Sequence, residues 1–357
     1  MYFMISSKND NIKINKHILG KNSKCFIIAE AGVNHNGDIN LAKQLVFEAK
    51  KAGADCVKFQ TFIADQVVTE DAPKAMYQIK NTDPNEKQIE MLRKLELSKE
   101  AYEELIKLCK EVDIVFMSTP YNNEDVEFLE KLNVEAYKLP SISITEPSFL
   151  EYIGKKNKPM IVSTGMATLE EVRDGVEAII STGNKDIIIL HCTTNYPTEL
   201  NEVNMRAMKK IGDELKILYG YSDHTQEDIT CMTAVAMGAC VIEKHFTLDK
   251  NLPGPDQSSS YDPSQFKKFV QNIRRVETVL GNSIKKPTTS ELKNMQGMRR
   301  SIVARKSIPK ETIIDETMLT LKRPAIGLKP MFIKKIIGKT TNRDIYKDEF
   351  VSEEDFK

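Results

Sequence analysis

No charge of either sign prevails in this chain. Its 51 acidic residues against 51 basic ones leave no long-range field, which excludes a surface built to hold nucleic acid or an anionic membrane. Also lacking is any apolar stretch approaching the roughly 20 residues of a membrane span. The opening MYFMISSKNDNIKIN has no sustained apolar core behind a basic start, so neither secretion by a signal peptide nor membrane insertion is expected. Cysteines are few. Cys25, Cys56, Cys109, Cys192, Cys231 and Cys240 are scattered, lie mostly inside apolar patterns and include no C-x-x-C pair, which points to a reducing cytoplasm. The partners that remain are small molecules or another subunit.

What is present, over 357 residues, is enough chain for one large domain and a small one. Eight short β-branched or apolar runs recur through the first 280 or so residues: CFIIAEAG (Cys25 to Gly32), DCVKFQTF (Asp55 to Phe62), VFMSTP (Val115 to Pro120), AYKLPS (Ala136 to Ser141), PMIVSTG (Pro159 to Gly165), IIILHCT (Ile187 to Thr193), ILYGYSDH (Ile217 to His224) and CVIEKHFT (Cys240 to Thr247). Each is followed by a segment of helical spacing, the alternation of a parallel α/β sheet, and eight such strands predict closure into a (β/α)8 TIM barrel. Asn40 to Lys51 reads as an amphipathic helix ending near Gly53, and T-L-E-E from Thr168 is a capping box. Between the second and third strands, residues 63 to about 97 carry Pro73, Pro84 and many polar side chains. That length predicts a lid-like insertion over the barrel mouth. The domains expected are the catalytic barrel at 1–285, a linker at 286–297 marked by Pro287, Thr288, Thr289 and Ser290, and a small β-rich module at 298–357 that needs docking to be stable.

Reactive groups in such a barrel sit at the carboxyl ends of the strands. There the chain places Glu30 ahead of Gly32, Asn34, His35, Asn36 and Gly37, then K-F-Q, S-D-H-T and E-K-H. Side chains at i and i+2 share a strand face, so Lys58 goes with Gln60, Ser222 with His224, and Glu243 with His245. Either histidine alone reads as a hydrogen-bonded structural residue. Both at the ends of adjacent strands, with Glu30 across the closing joint, read as a divalent metal site with His224 and His245 as ligands. Lys58 and Lys138, flanked by apolar residues, call for an anion to offset their desolvation. Thr119, Ser141, Ser163 and Ser222 add hydroxyl donors, and Gly165 allows close backbone approach, which together suit a compact, doubly anionic ligand. Arg323 in K-R-P-A-I-G and Asp256 in L-P-G-P-D stand in turn-like settings whose ordinary reading is surface or turn.

Taken together, I-A-E-A-G-V-N-H-N-G-D, V-K-F-Q-T-F, A-P-K-A-M-Y-Q-I-K-N-T, S-T-G-M-A, Y-S-D-H-T, E-K-H-F-T-L-D-K and P-G-P-D resemble the sialic acid synthases over nearly the whole chain. The end, from about Met298, resembles their SAF (antifreeze-like) module with its K-R-P-x-x-G turn. The resemblance implies N-acetylneuraminate synthase activity, a transferase reaction. Phosphoenolpyruvate attacks the open-chain aldehyde of N-acetylmannosamine, water adds at the enol carbon and phosphate leaves. It implies Glu30, Lys58, His224 and His245 as catalytic residues, and His224 and His245 as ligands of manganese, with magnesium or cobalt as alternatives. Lys58, Thr119, Lys138, Ser141, Ser163 and Ser222 match phosphoenolpyruvate-binding positions, and Gln60, Asn81, Tyr196, Glu243, Asp256 and Arg323 match sugar-contacting ones. A domain-swapped homodimer, in which the terminal module reaches the partner's barrel, is implied as well. The chain departs from the pattern after Ser141, where Ile142 and Ser143 replace Gly-Glu, at Gln257 where His is frequent, and at Thr194 where some members have Asn.

Three other readings compete. The same chemistry on a 2,4-diacetamido hexose would give legionaminic or pseudaminic acid, with the missing Glu as its motive. A metal-dependent aldolase would release pyruvate. A glycan- or ice-binding module on an inactive barrel is opposed by the presence of Glu30, Lys58, His224 and His245.

Overall fold

The eight expected runs are all strands in the computed structural model, which describes residues 9–357. The first residues of the N-terminus, on which the expectation of no signal peptide partly rests, lie outside that range. A hairpin comes first, β1 (Asn11–Ile14) and β2 (His17–Gly20). The eight follow as β3 (Phe26–Gly32), β4 (Cys56–Thr61), β5 (Val115–Pro120), β6 (Tyr137–Leu139), β7 (Met160–Ser163), β8 (Ile187–Cys192), β9 (Leu218–Asp223) and β10 (Val241–His245). They hydrogen-bond in parallel in the order β5-β4-β3-β10-β9-β8-β7-β6. That is chain order around a ring. At the remaining joint β5 and β6 lie side by side without a ladder, so the sheet is nearly closed as a TIM barrel.

Alternation along the strands sorts the side chains into two buried faces. Ile27, Val57, Phe59, Val162, Ile189 and Ile242 face outward into the helices. Ile28, Cys56, Val115, Met117, Ile161, Ile188, Leu190, Leu218 and Val241 face inward and gather around Ile12, Ile14 and Leu19 of the hairpin, which plugs the barrel floor. One step of two residues further along, the inward face changes from apolar to charged.

The helices start and stop on local signals. Ile39–Ala52 is capped by Asp38, which accepts from the Asn40 N–H, and ends at Gly53 with φ 93°, a left-handed conformation that glycine adopts without strain. Leu169–Ser181 carries the Thr168/Glu171 capping box. The insertion is structured, with short helices Ala64–Val67, Met76–Asn81 and Gln88–Arg93. Val33, Phe62, Met91 and Leu95 form its own apolar cluster. All six cysteines are buried and unpaired. Among the described residues no helix is long and apolar enough to cross a membrane.

The chain separates into two compact units at Gly281/Asn282, a few residues ahead of the boundary expected at 285/286. The expected linker is partly helical. Thr289–Met298 forms a helix with no buried residue because Thr288 and Glu291 build a capping box ahead of a stretch free of proline. The second unit pairs β11 (Ser301–Ala304) with β12 (Leu319–Lys322) and buries Ile302, Ile308, Ile314, Leu319, Ile336, Ile345, Val351 and Phe356 in a core of its own.

The plug makes a direct stability prediction. Leu19 is 0% exposed and its neighbour Ile18 is 57% exposed. Leu19→Ala should cost about 2–5 kcal/mol in denaturant unfolding of the barrel, and Ile18→Ala less than about 0.5 kcal/mol. Equal effects would mean that the hairpin does not seal the floor.

Candidate active site

Two residues beyond the apolar floor, the same inward face carries Glu30, Lys58, Thr119, Lys138, Ser163, Cys192, Ser222 and Glu243. Charges this deep must satisfy one another. Lys58 Nζ lies 2.7 Å from Glu30 Oε2 and donates to Thr119 Oγ1 at 3.0 Å. Lys138 Nζ donates to Ser163 Oγ at 2.8 Å and lies 3.5 Å from Glu243 Oε1, which also accepts from Ser222 Oγ at 3.1 Å. Gln60 Nε2 donates to Glu30 Oε1 at 3.2 Å, and Tyr121 O–H holds Gln60 Oε1 at 2.9 Å.

Burial pushes the Glu30 carboxyl up to about 7, against the opposing pull of Lys58. Burial alone would lower Lys58, but the carboxylates of Glu243 and Glu30 outweigh it and the net shift is upward. Lys138 is lowered by burial. Burial would raise Glu243, yet Lys138 and Lys58 hold it below its ordinary value. Glu243 Oε2 is buried with no hydrogen-bond donor, an unfilled acceptor of the kind that receives a ligand or water.

Above this layer stand the imidazoles. His224 and His245 have ring centroids 5.4 Å apart. Tyr196 stacks on His224 at 4.0 Å, and Tyr77 of the insertion lies on Tyr196 at 4.7 Å. His224 Nδ1 donates to the Thr193 carbonyl at 2.6 Å, an assignment that leaves the lone pair on Nε2. His245 Nδ1 is buried without a partner and lies 3.9 Å from Asp256 Oδ2. Burial lowers His224 to about 4 and His245 well below its usual range, so both are neutral near pH 7, as metal ligation requires. Burial also raises Asp256 to about 6. No cluster of three or more His, Cys, Asp or Glu side chains suited to a metal occurs among the described residues. The side chains here that could serve a cation as neutral donors are the two imidazoles. A buried unpartnered Nδ1 and a fixed tautomer on its neighbour fit that role.

The loops that carry these groups are tied together. Asn34 donates to the Phe246 carbonyl and to Ser260 Oγ, both at 2.9 Å. Gln257 Nε2 donates to the Asn34 carbonyl at 3.0 Å while its Oε1 accepts from Thr247. The departure at Gln257 is thus a brace between the loops after β3 and β10. A Cβ on Gly165 would fall 2.1 Å from Thr194 Oγ1, which is why the chain has glycine there.

Glu30, Lys58, Gln60, Thr119, Lys138, Ser141, Ser163, Tyr196, Ser222, His224, Glu243, His245 and Asp256 line one cavity. Two expected residues do not. Asn81 Nδ2 instead donates to the Pro255 carbonyl at 2.9 Å, fastening the insertion to the P-G-P-D loop. Arg323 belongs to the second unit, where it is exposed after β12. Ile142 is 47% exposed and Ser143 buried, and neither lines the cavity. Sequence reasoning missed Tyr77, Tyr121, Cys192 and an apolar wall of Val67, Met91, Leu92 and Leu95. Tyr121 directly follows the S-T-P strand end and was open to the same test as its neighbours. The wall had no signal beyond the length of the insertion.

A parallel barrel with a buried, charged mouth and two facing imidazoles defines a barrel enzyme. The chain belongs to the NeuB family, whose model matches residues 45–285, and a SAF domain matches residues 299–357. It is 46% identical to the N,N'-diacetyllegionaminic acid synthase of Campylobacter jejuni over 332 residues, 92% of this chain and 99% of that one. Identity to the N,N'-diacetyllegionaminic acid synthase of Legionella pneumophila is 47% over 323 residues, 89% of this chain and 91% of that one. Among solved structures, the N-acetylneuraminic acid (sialic acid) synthetase of Leptospira borgpetersenii superposes with a TM-score of 0.71 at 29% identity, over 80% of this chain and 94% of that one.

Proposed function

We propose that this enzyme condenses phosphoenolpyruvate with the open-chain aldehyde of a 2,4-diacetamido hexose, giving an N,N'-diacetyllegionaminic-acid-type sugar acid and phosphate. The observation that carries the choice of sugar is the 46% and 47% identity, over about nine-tenths of the chain, to two synthases of that product. The sialic acid synthetase stands at 29%. The preference drawn from the motifs, N-acetylmannosamine, is therefore reversed in favour of its first rival. The apolar wall of Val67, Met91, Leu92 and Leu95 supports this reading, since it offers acetamido methyls contact and offers hydroxyls no hydrogen bond.

In this reading Lys58, Lys138 and the hydroxyls of Thr119, Ser141, Ser163 and Ser222 hold the phosphate and carboxylate of phosphoenolpyruvate. Gln60, Tyr196, Glu243 and Asp256 orient the sugar. The methylene carbon of phosphoenolpyruvate bonds to the aldehyde carbon, water adds to the former enol carbon, and its bond to the phosphate oxygen breaks. Glu30, with its pKa near 7, takes one proton of that water and passes it to the former aldehyde oxygen, and the second proton leaves with the phosphate as the keto group forms. His224 and His245 would hold a divalent cation, manganese or else magnesium or cobalt, which when bound polarises the aldehyde oxygen. The proposal extends to a domain-swapped homodimer in which Arg323 of the second copy completes the sugar site, and to a reducing cytoplasm, supported by six free, buried cysteines.

Phosphate release measured with each sugar tests the reading. The diacetamido hexose should exceed N-acetylmannosamine in kcat/KM by at least about tenfold, about 1.4 kcal/mol. Equal or better use of N-acetylmannosamine would overturn the choice of sugar, and pyruvate in place of phosphate would favour an aldolase. A pH profile tests Glu30. Below about 7 its carboxyl carries a proton, so a proton-accepting role makes kcat/KM fall as pH drops through that value. Glu30→Gln should lose roughly 10²–10⁴-fold in rate and the limb with it. A wild-type profile flat from about pH 6 to 8 would remove Glu30 from that role.

A further inference from the structure

Asp223 and Lys244 face away from the cavity, yet each is the chain neighbour of two residues that line it, Ser222 and His224 for one, Glu243 and His245 for the other. They stand directly opposite in the ladder between β9 and β10. Lys244 Nζ lies 2.6 Å from Asp223 Oδ2, with side-chain exposures of 1% and 0%. Both extend their hold to the peptides beside the imidazoles. Asp223 Oδ1 accepts from the Thr225 N–H at 2.9 Å, and Lys244 Nζ donates to the Thr225 carbonyl at 2.5 Å, so both ends of the residue after His224 are gripped. Asp223 Oδ2 also accepts from Thr230 Oγ1 at 2.9 Å and from Cys231 Sγ at 3.2 Å, which anchors the pair to the following helix Ile229–Ala236. On the other side Lys244 Nζ sits 4.3 Å from the centroid of the Tyr261 ring. The Tyr261 N–H donates to the His245 carbonyl at 2.8 Å, and its carbonyl accepts from the Thr247 N–H at 2.9 Å.

A fully buried ion pair is a poor device for stability, because apolar side chains of the same volume do as well or better. What it supplies is a single register. Strand side chains alternate, so any slip or twist of either strand tip that moved an imidazole would pull Asp223 and Lys244 apart. We propose that the Asp223–Lys244 pair is a clamp behind the site that positions His224 and His245 for a shared divalent cation. It acts through the histidines and does not touch substrate. The proposal rests on the reading of those two imidazoles as cation ligands.

The test is Mn²⁺ titration of metal-free protein by calorimetry, alongside thermal melting, for the wild type, Lys244→Met and the double variant Asp223→Asn with Lys244→Met. The single variant strands a buried carboxylate and is expected to melt well below the wild type. The double variant removes both charges at nearly constant volume. Clamping predicts that it melts within a few degrees of the wild type and binds Mn²⁺ roughly 10- to 100-fold more weakly. Undiminished Mn²⁺ affinity in the double variant would overturn the clamp while leaving the metal reading intact. A double variant that does not fold would overturn it too, by making the pair a determinant of the fold. Wild-type protein that takes up no Mn²⁺ would fail the metal reading itself and the clamp with it.

Discussion

Everything at the mouth of this barrel depends on a change made within two residues along five of its strands. Ile28 to Glu30, Cys56 to Lys58, Met117 to Thr119, Ile161 to Ser163 and Val241 to Glu243 are each a step of roughly 6.6 Å along one face. Below the step the interior is dry and sealed by Ile12, Ile14 and Leu19. Above it two lysines and two carboxylates share a space that water barely reaches. The floor is what gives the layer its chemistry. Without a sealed apolar base, Glu30 would have no cause to titrate near 7, and the two lysines would be solvated cations.

That dependence explains which parts of the site were legible in the sequence. Polar residues at strand ends stand out against β-branched runs, and the i, i+2 rule then assigns their faces. Glu30, Lys58, Lys138, Glu243 and the two histidines could therefore be placed together before any coordinates. The joint between the first and last barrel strands was legible for the same reason, and His245 does stand in register with Glu30. Asn81 and the helix Thr289–Met298 were not. Asn81 lies in the insertion, where no period sets a face, and its amide found the Pro255 carbonyl. The helix starts from a Thr-Thr-Ser-Glu cap that a reading for flexible linkers takes as loop. Ile142 and Ser143 drew attention for the carboxylate they replace, but neither lines the cavity. In the proposed reading the feature that speaks to the sugar is the wall from the insertion, which becomes visible only when Val67, Met91, Leu92 and Leu95 are brought together in the fold.

The site thus has two halves with different physical characters. One half is the charged layer and the two imidazoles, with the Asp223–Lys244 pair behind them, whereas the other is an apolar wall that belongs to short helices held by a small cluster of their own. In the proposed reading the charged layer takes phosphoenolpyruvate and the wall meets the sugar. The same split also separates the roles of the loops. Asn34 and Gln257 lock the mouth around the imidazoles, and Asn81 and Tyr77 tie the insertion to that locked rim.

The central claim is that the two imidazoles above the charged layer are cation ligands. Anomalous diffraction from a crystal soaked in Mn²⁺, recorded at the manganese edge, tests it most directly. The account predicts one strong peak within coordination distance of both His224 and His245. A map with no peak there, or with its strongest peak elsewhere on the barrel, would contradict it.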